Sequence, residues 1–192
     1  MSTVYIGYDG SMVDLGATAD ERMQARAQRN LPIISRWAKF FDVPIDWMMS
    51  FAENESSHNP RKINMTAREK GGAWGLFAQM ADEAAWKISI VKKFYGKDPN
   101  VKKALAKWTG KPKSLLDPNL NTMLAAWQIG RLRKVFGEDL TTVAAAYHQG
   151  ESAVKRRLEA GLPPVTKEKQ PAGYLYASRI VEAQPEYLAM AY

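Results

Sequence analysis

The chain reads as a mainly α protein with little or no sheet, and three observations carry that reading. Ile33, Ile34, Trp37, Phe40 and Phe41 fall at i, i+1, i+4, i+7 and i+8, one stripe of an α-helix. Helix-start chemistry recurs along the chain, from the capping box Thr18-Ala19-Asp20-Glu21 to the Asp117-Pro118 pair. Strand signals are confined to Thr3-Val4-Tyr5-Ile6 and part of the loop after Pro60.

The elements follow in order. Residues 1–17 hold three glycines and no helical period, and read as an N-terminal arm. The remaining residues, 18–192, read as one domain, a size that closes a proper core. The capping box starts a helix near Ala19 that is expected to end near Asn30. Asn30 and Pro32 are then expected to open a second helix bearing the Ile33–Phe41 stripe. Pro44 opens a third, running to about Glu55. Residues 57–79, with Pro60 and several glycines, read as a long loop or short hairpin. Asp82 is expected to cap a helix over 83–95, closed by Gly96. Asn100 starts a short helix to about Trp108, and 109–118 form a Pro/Gly/Lys connector. The helix after Asp117-Pro118 carries Met123, Leu124, Trp127, Val135 and Phe136 and stops at Gly137. Asp139 begins the next, through about Tyr147, and helical pieces follow over 151–160 and 172–183.

Composition narrows the class. With no cysteine, the chain has no disulfide framework, thiolate metal site or thiol nucleophile. The net charge of +7 suits anionic partners such as nucleic acid, anionic lipid or cell-wall polymer. Much of it sits between Lys92 and Lys113, which reads as a solvated helical face and loop, with an anion-facing patch as the alternative. Specific nucleic-acid binding is not expected. No apolar run approaches the roughly 20 residues of a membrane span. The first ten residues lack the basic and apolar regions of a secretory signal.

Chemistry concentrates in three short segments. Glu55-Ser56-Ser57-His58-Asn59-Pro60 follows the apolar run Ile45–Ala52. A carboxyl at the end of an apolar helix is partly dehydrated, which disfavours its charged form and raises its pKa toward what a general acid needs. Ser56 beside it either contacts substrate or caps local backbone. Gly71-Gly72-Ala73-Trp74-Gly75-Leu76-Phe77 reads as a wall whose backbone approaches a ligand closely, with Gly75, Leu76 and Phe77 offering N–H and C=O groups to sugar hydroxyls. Ala144-Ala145-Ala146-Tyr147-His148-Gln149-Gly150 places the Tyr147 phenol at a helix end, able to hold a carboxyl in one rotamer.

In order and together, these segments resemble the lytic transglycosylases of lysozyme-like fold, the soluble lytic transglycosylase domain family related to goose-type lysozyme. The family pattern is Glu-Ser-x-x-Asn-Pro, then Gly-Ala-x-Gly-Leu-Met-Gln, then Ala-Ala-Tyr-Asn-Ala-Gly. The likeness spans about Leu31 to Ala183. It departs at Ala78, where the family has Gln, and leaves two readings: Gln79, one position later, substitutes for it, or a substrate contact is lost. His148 replaces an Asn, and the loop between Glu55 and Gly75 is longer. A late Glu-Thr-x-x-Tyr motif is echoed by Ala172-Gly173-Tyr174-Leu175-Tyr176 without its acid, with Tyr176 as the matching tyrosine lining the cleft near Glu55.

The resemblance implies cleavage of the MurNAc-β-1,4-GlcNAc bond of peptidoglycan glycan strands, with Glu55 as the single catalytic acid and base. Ser56, Gly75, Leu76, Phe77, Gln79, Tyr147, His148 and Tyr176 are the expected substrate-side residues. A two-carboxylate glycosidase needs a second acid; Glu53 points to another helix face and Glu69 reads as exposed, which favours transglycosylase over hydrolase. His58 and His148 lack partners at ligand spacing, so neither metal nor cofactor is expected. The size and the absent signal suggest the wall-cutting modules that phages carry in their virions, acting on the host wall in the periplasm alongside other virion proteins. A lysozyme-type muramidase on the same fold and a non-catalytic structural or wall-binding protein stay open as alternatives.

Overall fold

The acid-bearing segment is built by two successive helices that pack on each other. In the computed structural model, which describes the backbone of residues 4–6, 12–14, 18–66 and 71–191, α1 spans Ala19–Phe41 and α2 spans Ile45–Ser56. The capping box is present: Glu21 N–H donates to Thr18 Oγ1 at 3.2 Å and Thr18 N–H to Glu21 Oε2 at 2.6 Å. The expected break at Asn30 does not occur, and α1 runs on through Pro32. Proline in a helix interior removes one backbone hydrogen bond and crowds the preceding turn. The buried Ile34, Trp37, Ala38 and Phe41 stripe holds the helix together past that defect. Asn30 is no cap, because its side-chain amide donates to the backbone oxygen of His58 at 2.8 Å.

Beyond α2 the chain forms a small antiparallel sheet with the order β3 (Ile63–Asn64), β4 (Ala73–Trp74) and β5 (Gln79–Met80). Two earlier strands, β1 (Val4–Ile6) and β2 (Met12–Asp14), pair with each other in the expected arm. The rest is helical: α3 (Ala81–Tyr95), α4 (Pro99–Leu105), a 3-10 turn over Pro112–Leu116, α5 (Pro118–Phe136), α6 (Leu140–Gln149), α7 (Glu151–Glu159) and α8 (Pro171–Ala191). Two expected caps move. Asp82 lies inside the first turn of α3, whose N-cap is Met80. Asp98, not Asn100, caps α4, accepting from Asn100 and Val101 N–H with Pro99 at the first helical position. Asp117 and Asp139 cap α5 and α6 with side-chain hydrogen bonds.

The central helix is α5, buried at nearly every position from Leu120 to Leu132. On one side it meets α1, where Trp37 Nε1 donates to Asn119 Oδ1 at 2.9 Å. Gly130 permits that approach, since a Cβ there would lie 2.6 Å from the Phe41 carbonyl oxygen. On the other side α5 packs on α6, α6 on α8, and α8 back along α2, so α2 is enclosed between α1 and α8. Met48, Met49, Phe51 and Ala52 of α2 are fully buried as a result. Burying each of the larger three contributes about 1.5–3 kcal/mol, enough to fix the helix that carries the acid. No helix among the described residues is long and apolar enough to cross a membrane.

Candidate active site

Glu55 lies in the last turn of α2, one turn after Phe51, and the two share a face. Phe51 forms the floor under the site. Its ring packs edge-on against Tyr147 of α6, with centroids 5.0 Å apart, and Tyr176 of α8, 6.5 Å away. Above this floor Glu55 is half-buried on the wall of a groove of about 470 Å³. Burial drives its carboxyl from 4.5 up to about 7, opposed by the Tyr176 hydrogen bond and by the charges of Lys62 and Lys87. The acid is therefore about half protonated at neutral pH and largely protonated below it.

The turn that ends α2 is strained. Ser57 (φ 51°) and His58 (φ 58°) both adopt left-handed backbone, which costs about 1–2 kcal/mol for each non-glycine residue. Two elements hold the turn. From α1, Arg26 Nε donates to the Ser57 oxygen at 2.9 Å and Asn30 to the His58 oxygen. From α8, the Tyr187 hydroxyl donates to Glu53 Oε2 at 2.7 Å and meets His58 Nε2 at 2.8 Å. A phenol has one proton, so His58 must donate from Nε2. Its ring is fully buried, and burial pushes its pKa down to about 4. His58 is a neutral structural residue outside the groove.

The expected holder of the acid changes identity. The Tyr147 hydroxyl donates to the Phe77 carbonyl oxygen at 3.0 Å and accepts from Gln79 Nε2 at 2.9 Å, so it is spent on the neighbouring loop. Tyr176 instead donates to Glu55 Oε1. The Tyr176 ring is stacked under His148, with centroids 4.4 Å apart and planes 17° apart. His148 lines the groove, and partial burial lowers its pKa, leaving a neutral imidazole over Tyr176.

The Gly75–Phe77 segment is scaffold, which corrects its expected part as a sugar-binding wall. Leu76 and Phe77 are fully buried. Ser56 is buried too, donating to the Leu76 oxygen at 2.8 Å, so it joins α2 to this loop and does not face the groove. Asn121 of α5 ties the rest: its amide donates to the Trp74 and Leu115 oxygens at 2.7 and 2.9 Å, and its oxygen accepts from Phe77 N–H at 2.8 Å. Gly75 (φ 80°) is required there, because a Cβ would sit 2.3 Å from the Leu115 oxygen. Ala78 follows with left-handed backbone (φ 44°), and this one-residue turn brings Gln79 to Tyr147. Ala78 and Gln79 both line the groove, and the Gln79 amide is held between Tyr147 and Lys87.

The groove lining also holds a residue that sequence reasoning missed. Lys87 of α3 is almost fully buried, with 4% of its side chain exposed, and each of its ammonium donors has an acceptor. They are Gln79 Oε1 at 3.0 Å, Gln128 Oε1 at 2.8 Å and Glu83 Oε2 at 2.9 Å. Burial lowers the Lys87 pKa, and Glu83 opposes that shift. Lys87, Gln79 and Tyr147 thus form one hydrogen-bonded chain in the groove lining that ends on the buried Phe77 oxygen. The i, i+4 spacing of Glu83 and Lys87 was the signal that could have found the pair. Glu83 and Glu55 are the carboxylates that line the groove among the described residues. Glu53 is engaged by Tyr187, and Glu69 lies outside the described residues.

A family model for the transglycosylase SLT domain matches residues 32–161. The chain belongs to that family, whose members are peptidoglycan lytic transglycosylases, and its helical architecture is the lysozyme-like fold of the class. No curated protein sequence matches the chain. The matched region holds Glu55, the Gly75 loop, Lys87 and Tyr147; Tyr176 lies beyond it on α8.

Proposed function

We propose that this protein cleaves the MurNAc-β-1,4-GlcNAc bond of peptidoglycan with Glu55 as its sole acid and base, leaving 1,6-anhydro-MurNAc ends and opening the wall locally. The observation that carries the reading is the Glu55 carboxyl, held protonated to about pH 7 on the groove wall and fixed by one hydrogen bond from Tyr176. Protonated Glu55 gives its proton to the leaving glycosidic oxygen as the sugar becomes oxocarbenium-like. The resulting carboxylate then accepts the proton of the muramoyl 6-hydroxyl, whose oxygen attacks C1 and closes the anhydro ring. The proton is returned, no water is consumed, and one carboxylate completes the cycle.

One observation favours a muramidase as the second reading: Glu83 also lines the groove. Its carboxylate is ion-paired with Lys87, which suits a scaffold more than a nucleophile or base. Product analysis on purified sacculi separates the two, since anhydro ends are lighter by one water than hydrolysed ends. The expected result is anhydro muropeptides from the wild type, and a loss of about 10²–10⁴-fold in rate for Glu55→Gln with the fold intact. Wild-type rates from Glu55→Gln sink the assignment, and reducing ends in place of anhydro ends select the muramidase.

A further inference from the structure

A second recess, of about 260 Å³, opens off the groove and shares Glu83, Lys87, Gln128 and Gly150 with it. Its outer wall is Trp86, a tryptophan left 54% exposed where most large aromatic surface in this chain is packed away. Trp86 is not loose. Its ring stands edge-on to Trp127 at 5.8 Å and 68°, and Trp127 is in turn covered by the Arg131 guanidinium 5.8 Å from its ring. The indole is thus presented in one orientation beside polar groups.

The charges of the recess cancel. Lys87 is bonded to Glu83 at 2.9 Å and Arg131 to Glu151, leaving two cations and two carboxylates paired along the lining. Among the described residues each cation of the lining is already paired with a carboxylate, which disfavours an anionic ligand such as a stem peptide or a nucleic acid. A neutral ring with one C–H face and a polar rim fits instead, its face on the indole and its rim on carboxylate and amide groups. Continuity with the groove says where such a ring comes from.

We propose that the Trp86 recess is a distal subsite that stacks an N-acetylhexosamine ring of the same glycan strand, remote from the bond at Glu55. The proposal rests on the groove holding peptidoglycan glycan. Its function is grip on long strands, with Trp86 a binding residue that takes no part in the chemistry.

Calorimetry on the inactive Glu55→Gln protein tests it, with β-1,4-linked N-acetylglucosamine disaccharide and hexasaccharide as probes. The hexasaccharide should bind more tightly than the disaccharide. Adding Trp86→Ala should shrink that advantage by about two- to ten-fold, the size of one aromatic contact, and Trp86→Phe should restore most of it. Melting curves check that the exposed substitution leaves the fold unchanged. An unaltered hexasaccharide advantage in Trp86→Ala overturns the subsite alone, as does Trp86-dependent binding of a free stem peptide. Failure of every oligosaccharide to bind overturns the subsite and the glycan reading of the groove together.

Discussion

Glu55 and Lys87 line one groove, and the fold treats these two ionisable groups in opposite ways. Among the described residues Glu55 has a single hydrogen bond, from Tyr176, and burial dominates, so its carboxyl rises to about 7. Lys87 is buried more completely, yet three acceptors, one of them a carboxylate, surround its ammonium. A buried charge is costly unless it is paired and hydrogen-bonded. The lysine is compensated and serves as scaffold for Gln79 and, through it, Tyr147. The glutamate is left short of partners, and that shortage makes it a proton donor near neutral pH. The local strain agrees: left-handed Ser57 and His58 adjoin the acid.

The comparison breaks most visibly at the lysine. Lys87→Met removes the shared donor and strands Gln79 and Gln128 without it, while Glu83 loses its ion pair. Glu83 is half in solvent (52% of its side chain exposed), which softens the loss. Denaturant unfolding should show about 3–4 kcal/mol of destabilisation. The activity profile should also extend to higher pH, because the lysine charge lowers the Glu55 pKa.

A smaller effect of opposite sign is expected at the acid. Glu55 has a native pKa raised above its unfolded value of 4.5. Below pH 4.5 both states hold the proton and the site costs nothing. From there through 7 the unfolded chain releases a proton that the native state retains, so stability falls as pH rises. Glu55→Gln should therefore gain about 3 kcal/mol over the wild type above pH 7 and nothing at pH 4, measured by parallel unfolding curves. Equal stability differences at both pH values would show that the carboxyl is not desolvated.

The smallest change sharpens the contrast. Tyr176→Phe deletes the one bond that favours the carboxylate, so Glu55 should titrate still higher. The alkaline limb of the pH–rate profile should move up by about half to one pH unit while the acid loses its fixed rotamer. An unshifted limb with reduced activity would make Tyr176 a packing residue only.

Much of the site was legible because local chemistry writes it. Glu55 was marked by its place after Ile45–Ala52, and Tyr147 and His148 by their place before Gly150. What each residue touches was not legible. Ser56 and the Gly75–Phe77 loop looked like ligand contacts and are internal scaffold: Ser56 donates to the Leu76 oxygen, and the loop's partners Asn121 and Tyr147 arrive from α5 and α6. Tyr147 and Tyr176 exchange their expected parts for the same reason: Tyr176 reaches Glu55 across 121 positions of sequence.

Sequence alone thus determined the helical class, most helix starts, and the place of the candidate acid at the end of an apolar helix, since periodicity, caps and an apolar approach to a carboxyl act within a few residues. It erred at Pro32, where the apolar stripe that carries α1 through the defect draws its energy from packing on other helices. Only the tertiary structure decided how far Glu55 is dehydrated, that Lys87 is compensated, and that Ala78 turns Gln79 into place. Dehydration and compensation depend on which groups surround a charge in space, and here those groups come from α2, α3, α5, α6 and α8 together.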